Sequence, residues 1–187
     1  MRVAATWTAA TALGFAVAGF LPRGEWVTFF AFGLVACLPQ AIALRALGRA
    51  GVLWLVITSI AVPASYLVAV LVAIVTFVAL QWMPVESDGA RVDLMLIAAG
   101  IAAGLFVGTV QSPAFGWPPA RRHVALWAGA SAIGSPAAAA MFIFTAQVCY
   151  FCVPPAPLPI IGLVLGGAYG FITGLALERL LSARPTN

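Results

Sequence analysis

The sequence predicts an all-α integral membrane protein. We expect six transmembrane helices, built as three helical-hairpin repeats around a pseudo-threefold axis, with both termini cytoplasmic. Three observations lead there. Of 187 residues, 64% are apolar and 7% charged, against roughly 25% charged in a soluble domain, so no soluble fold of this length could hide that much apolar surface. The apolar residues fall into six long runs. Finally, alternate runs resemble one another.

The runs are Val3–Leu21, Trp26–Leu44, Val52–Met83, Leu94–Phe115, Val124–Val148 and Leu158–Leu181. Each reaches the ~20 residues that a helix needs to cross a bilayer core. The third would make about 48 Å of straight helix, which predicts tilt, a bend near Pro63, or an extension past the membrane. An even number of spans puts both termini on one side. Arg2, Arg45, Arg49, Arg121, Arg122, Arg179 and Arg184 flank one face, and Arg23 and Arg91 the other. The positive-inside rule then sets the termini in the cytoplasm of a bacterial inner membrane. Trp7, Trp54, Trp117 and Trp127 fall at inner boundaries and Trp26 and Trp82 at outer ones, as an aromatic belt would.

The first run also has the features of a secretory leader, with one base and an A-x-A at Ala16–Ala18. The internal repeat argues for a span instead. WTAATALGFA from Trp7, WLVITSIAVP from Trp54 and WAGASAIGSP from Trp127 align. Tryptophan is followed four residues on by Thr11, Thr58 or Ser131, and Pro63 and Pro136 share a position. Among the even runs, GLVACLPQ from Gly33, GLFVGTVQ from Gly104 and GLVLGGAY from Gly162 align, which puts Tyr169 in the place of Gln40 and Gln111. The repeats of a single domain over residues 1–187 then cover about 3–45, 50–116 and 123–181.

The even runs carry small residues every four positions: Gly162, Gly166, Gly170 and Gly174; Gly100, Gly104, Gly108 and Ser112; Gly33, Cys37 and Ala41. That spacing makes one stripe per helix, where backbones can approach closely. The stripes read as packing faces of an inner set of helices, or as a glycine-lined ligand groove.

The combination of G-x6-Q with Leu44–Arg45, tryptophan-led odd runs and a closing G-A-Y-G-x-I-T-G resembles a loose group of uncharacterised bacterial multi-span membrane proteins. In that group a G-x-x-x-G-x-x-Q-x-x-x-L-R unit recurs and the chain ends on Y-G-x-I-T-G. The resemblance implies the repeat fold and brings no catalytic residue. The second copy departs from it, with Phe115 and Gly116 in place of Leu-Arg.

Gln40, Gln111, Tyr169, Thr11, Thr58 and Ser131 are expected at one depth, as interhelical glue or as a polar ring that holds a neutral ligand or closes a pore. No ionisable residue falls mid-span, which argues against a proton-driven pump. Glu178 and Arg179 come within the last turns, near headgroups. His123, beside Arg121 and Arg122, lacks further ligands for a metal site and suits anionic lipid. No nucleophile, paired carboxylate or zinc motif marks an enzyme, and no basic, aromatic-interleaved patch marks a nucleic-acid binder. The outer loop Pro84–Asp93, with Glu86 and Asp88, is the largest hydrophilic piece. Cys149 and Cys152 in CYFCVPP fall at the outer end of the fifth run, the oxidising side, and read as a disulfide, as inert thiols, or as a redox pair.

Three functions follow as expectations, the first favoured because packing devices abound while catalytic motifs are missing. One is a non-enzymatic scaffold or accessory subunit that packs with other membrane subunits. Another is a small-molecule permease or the substrate-binding membrane component of a transporter, which requires a cavity lined by Gln, Thr and Tyr side chains. The last is a thiol–quinone redox protein. No cofactor is predicted, though a bound lipid, quinone or carotenoid would fit between such helices.

Overall fold

The computed structural model describes residues 2–21, 26–49, 51–83, 88–115, 120–150 and 158–182, the backbone alone at 26–30, 32, 139–150 and 158. Six helices account for almost all of it: α1 (Arg2–Ala18), α2 (Trp26–Ala46), α3 (Gly51–Leu80), α4 (Asp88–Gln111), α5 (Arg121–Tyr150) and α6 (Leu158–Ser182). There is no strand among the described residues. Gly51–Leu80, Asp88–Phe115 and Pro159–Ser182 are each long and apolar enough to cross a membrane.

Local chemistry explains where the helices turn and end. α2 closes in a Schellman motif: Arg49 N–H donates to the Leu44 carbonyl at 2.9 Å and Gly48 N–H to that of Arg45 at 3.0 Å. Gly48 takes the required positive φ of 70°, which a residue with a Cβ adopts only under strain. α4 begins earlier than its apolar run, because Asp88 suits the positive end of a helix and pairs with Arg91 at 3.3 Å. It tightens into a 3-10 turn at Ser112–Phe115. Pro113 has no N–H for the Thr109 carbonyl, and the Ser112 hydroxyl donates to that carbonyl instead, at 2.8 Å. Pro63 lies inside a continuous α3.

Each helix packs on the one before and the one after it, and α6 packs on α1, which closes a ring of six. The glycine stripes face across these seams. A Cβ at Gly162, Gly166, Gly170 or Gly174 of α6 would meet α1 between Ala4 and Ala16; one at Gly100, Gly104 or Gly108 of α4 would meet α5 between Ala128 and Pro136. At Gly104 it would run into the Ser131 carbonyl, and at Gly162 into that of Phe15. Gly33 of α2 faces Val62 of α3. The even helices do not form an inner set; they alternate with the odd ones around the ring.

The ring buries a polar layer beside an aromatic and aliphatic core, and its outside is greasy. Thr11, Gln40, Thr58, Gln111, Ser112, Ser131 and Thr173 are buried, while Leu13, Leu38, Ile60, Leu71, Ile133 and Phe171 stand exposed. Water would penalise that surface and lipid would not. With three helices of spanning length, it marks a membrane protein.

Candidate functional site: a polar ring, a tryptophan plate and the cavity above them

Trp7, Trp54 and Trp127, one from each odd helix, meet at the centre of the ring. Their centroids lie 5.2, 5.8 and 5.6 Å apart, and their planes cross at 79°, 75° and 77°. This is the edge-to-face geometry that aromatic quadrupoles prefer. Phe115 joins from the 3-10 turn, 4.8 Å from Trp127. The aromatic-belt expectation is therefore wrong for these three, which are at most 1% exposed. Trp82, at 87% exposed, is placed as a belt residue would be.

Each indole N–H is directed at an acceptor on an even helix. Trp54 donates to Gln40 Oε1 at 3.2 Å, Trp127 to Gln111 Oε1 at 3.1 Å, and Trp7 to Thr173 Oγ1 at 2.9 Å. One turn further along the odd helices, the same even helices donate: Gln40 Nε2 to Thr11 Oγ1 at 2.9 Å, Gln111 Nε2 to Thr58 Oγ1 at 3.0 Å, and Tyr169 Oη to Ser131 Oγ at 3.3 Å. So α2 ties α1 to α3, α4 ties α3 to α5, and α6 ties α5 to α1. The circuit closes.

All six polar residues singled out from the sequence thus lie in one hydrogen-bonded layer. Tyr169 is not the counterpart of the glutamines, however. Thr173 receives the indole bond, and Tyr169, one turn earlier, supplies only the other half. Burial agrees with that register: Leu44, Phe115 and Leu177, four residues beyond Gln40, Gln111 and Thr173, are all in the core. Sequence reasoning missed Thr173. The signal was present, because Gly166–Thr173 (GGAYGFIT) also has a polar residue seven beyond a glycine, and it matches the glycine stripes better.

Glu178 was read as reaching only the headgroups. In the structure its Oε2 accepts the Ala4 N–H at 3.2 Å. A carboxylate from α6 thus caps the first turn of α1, where unpaired N–H groups and the helix dipole both favour an anion.

On the other side of the polar layer from the tryptophans lies a cavity of about 260 Å³. All six helices line it, from Phe15 of α1 to Tyr169 of α6. Gln40, Thr58, Ser65, Gln111 and Ser135 supply polar groups; Val62, Val107 and several alanines supply apolar wall. Phe15 and Tyr169 stack at one side, 6.4 Å between centroids. Cys37 also borders the space, and its thiol donates to the Leu34 carbonyl at 3.4 Å.

The Cys149 side chain, Cys152 and residues 84–87 with Glu86 lie outside the described residues, and the rest of the expected outer loop, Asp88–Asp93, is the start of α4. Comparison with known proteins returns no match: no protein-family model fits the chain, and no curated protein or solved structure is similar to it.

Proposed function

We propose that this chain holds a small molecule within the bilayer, as a permease or as the ligand-binding membrane component of a transporter. It crosses a bacterial inner membrane six times, with both termini in the cytoplasm. Three hairpins share one design about a pseudo-threefold axis: tryptophan and hydroxyl on the odd helix, small stripe and hydrogen-bonding group on the even one. In the arginine-derived orientation the tryptophan plate lies toward the cytoplasm and the cavity toward the outside, so a ligand enters from outside and stops on the polar floor.

The observation that carries this proposal is the cavity itself. A protein that only packs helices has no need of a space bordered by all six, and in bilayers such spaces mark ligand sites. The lining contains the Gln, Thr and Tyr side chains that a transport role requires. The test is gentle purification from native membranes followed by mass spectrometry of the intact particle. A chain that carries a specific small molecule, lost when Val107→Trp fills the cavity, supports the proposal. A stoichiometric protein partner and an empty cavity overturn it in favour of the accessory-subunit reading.

That second reading has one specific observation in its favour. Every indole N–H of the plate and both glutamine amides already have protein partners, as a purely architectural network would. Neither reading involves catalysis.

A further inference from the structure

We propose that the ligand of this cavity is an uncharged amphipathic molecule, with a hydroxyl or carbonyl head seated on Gln40, Gln111, Thr58 and Ser135 and an apolar body against Phe15, Val62 and Val107. The inference rests on the cavity-binding reading above and adds the chemical class.

Charge is excluded first. Among the described residues, no Asp, Glu, Lys, Arg or His borders the cavity. An ion brought to this depth without a counter-charge costs at least several kcal/mol, so a charged ligand would find nothing to offset its desolvation. The floor, however, has hydrogen-bonding capacity left over. A primary amide offers two donors and two acceptor lone pairs, and each glutamine makes one bond through its nitrogen and one through its oxygen. The Thr58 hydroxyl accepts from Gln111, and its own proton has no acceptor among the described residues. The Ser135 hydroxyl has no hydrogen-bond partner at all among them. These unused groups face the cavity beside Val62, Val107 and Phe15, while the Ser65 hydroxyl, also on the lining, is already engaged with the Val62 carbonyl at 2.6 Å.

Water alone fills such a space poorly. The cavity has room for several waters, and each needs two to four polar partners. The floor can satisfy a few; the apolar wall can satisfy none. A hydroxyl or carbonyl takes the floor's spare bonds, and its hydrocarbon part displaces the ill-satisfied water. The volume lies just under the ~300–1,000 Å³ usual for drug-sized ligands, which sets a medium-chain or single-ring size. A carotenoid or an intact phospholipid would have to leave most of its length outside.

The test uses the full chain in lipid nanodiscs and a diazirine-bearing octanol as photoprobe. The same diazirine chain ending in a methyl group and in a carboxylate serve for comparison. Adduct positions are mapped by peptide mass spectrometry. The alcohol should label Phe15, Val62 or Val107 saturably, and excess 1-octanol should displace it. The methyl-ended probe should label them about three- to tenfold less, the worth of one hydrogen bond, and the carboxylate not at all. Ser135→Ala removes a hydroxyl that no described residue uses, so the fold stays intact, and labelling by the alcohol should fall by up to about tenfold. Equal labelling by the methyl-ended probe overturns recognition of the head and leaves the cavity reading standing. Preference for the carboxylate overturns neutrality. Labelling confined to lipid-facing residues with all three probes overturns both this inference and the cavity reading.

Discussion

α4 and α6 do the same job with different chemistry. In α4 a single planar amide, Gln111, accepts from the plate and donates to the neighbouring helix. In α6 two side chains one turn apart divide the work: Thr173 accepts from Trp7 and Tyr169 donates to Ser131. The glutamine couples its two bonds, because the plane that points the oxygen at one indole also fixes the nitrogen. Tyr169 and Thr173 present separate side chains, linked only where the Thr173 hydroxyl donates to the Tyr169 backbone carbonyl at 2.8 Å. Their ring bonds also differ, at 2.9 Å for Thr173 and 3.3 Å for Tyr169. What the two seams share is the glycine face beneath, which sets helix separation before any polar group can reach across. The largest effects should therefore come from the glycines, and the seams should diverge only when the polar groups change.

The first expectation is that Gly104→Leu in α4 and Gly166→Leu in α6 both abolish assembly. A Cβ at Gly104 would collide with the Ser131 carbonyl, and one at Gly166 would sit 2.7 Å from that of Thr11. Backbone cannot yield as a side chain can, so each variant should lose more than about 3 kcal/mol. Gly167→Leu, one residue away and with nothing within 4 Å of its Cβ, should behave as wild type. Yield of folded monomer in mild detergent and unfolding in mixed micelles separate these cases. Tolerance at Gly104 or Gly166 would mean that the seams are looser than the ring requires.

Next in size is the glutamine seam against the divided one. Gln111→Leu leaves the Trp127 indole N–H without its acceptor and removes the bond to Thr58. At about 0.6 kcal/mol for an average interhelical bond in a membrane, up to about 1.7, plus the cost of an orphaned buried donor, the loss should reach about 2–3 kcal/mol. Thr173→Val orphans Trp7 but leaves Tyr169 in place, so about 1–2 kcal/mol is expected. Equal losses in micelle unfolding would show that the amide does not couple its two neighbours.

These contrasts also mark what the sequence could and could not convey. Apolar run length located all six helices, with ends shifted only where caps and prolines act. The hydroxyls four residues beyond the tryptophans, and the two glutamines, were legible because polar groups in lipid must turn toward protein. The azimuth of the tryptophans was misread, since a tryptophan near a helix end suits either the lipid interface or the bundle axis. Spacing held the deciding clue: Trp7 and Thr11 share a face at four residues apart, so an inward threonine brings the indole inward with it. The α6 register failed for another reason. Gly162 and Gly166 each have a polar residue seven positions on, and only a neighbouring helix can choose between Tyr169 and Thr173. Glu178 was opaque because its partner is a backbone N–H 174 positions away in the chain. The cavity was open to conjecture from residue types, but its volume depends on how closely the glycine-set seams approach.

The smallest effect should be the most informative about α6. Tyr169→Phe deletes one hydrogen bond of 3.3 Å to Ser131 and keeps the ring stacked on Phe15, so its cost should not exceed about 0.6 kcal/mol. Tyr169→Leu also loses the stack and should cost about 0.5–1.5 kcal/mol more. If Phe proves as damaging as Gln111→Leu, the hydroxyl is a full structural partner and the two seams are equivalent. If Phe is silent in unfolding, the α5–α6 seam gains nothing from its polar bond, because the Phe15 stack ties Tyr169 to α1 and not to α5. That would make it the seam along which a bound molecule could most readily be passed between helices. Repeating the photoprobe measurement on Tyr169→Phe then separates the roles, because a side chain that serves only the fold leaves labelling of Val107 unchanged, while one that borders the ligand's path does not.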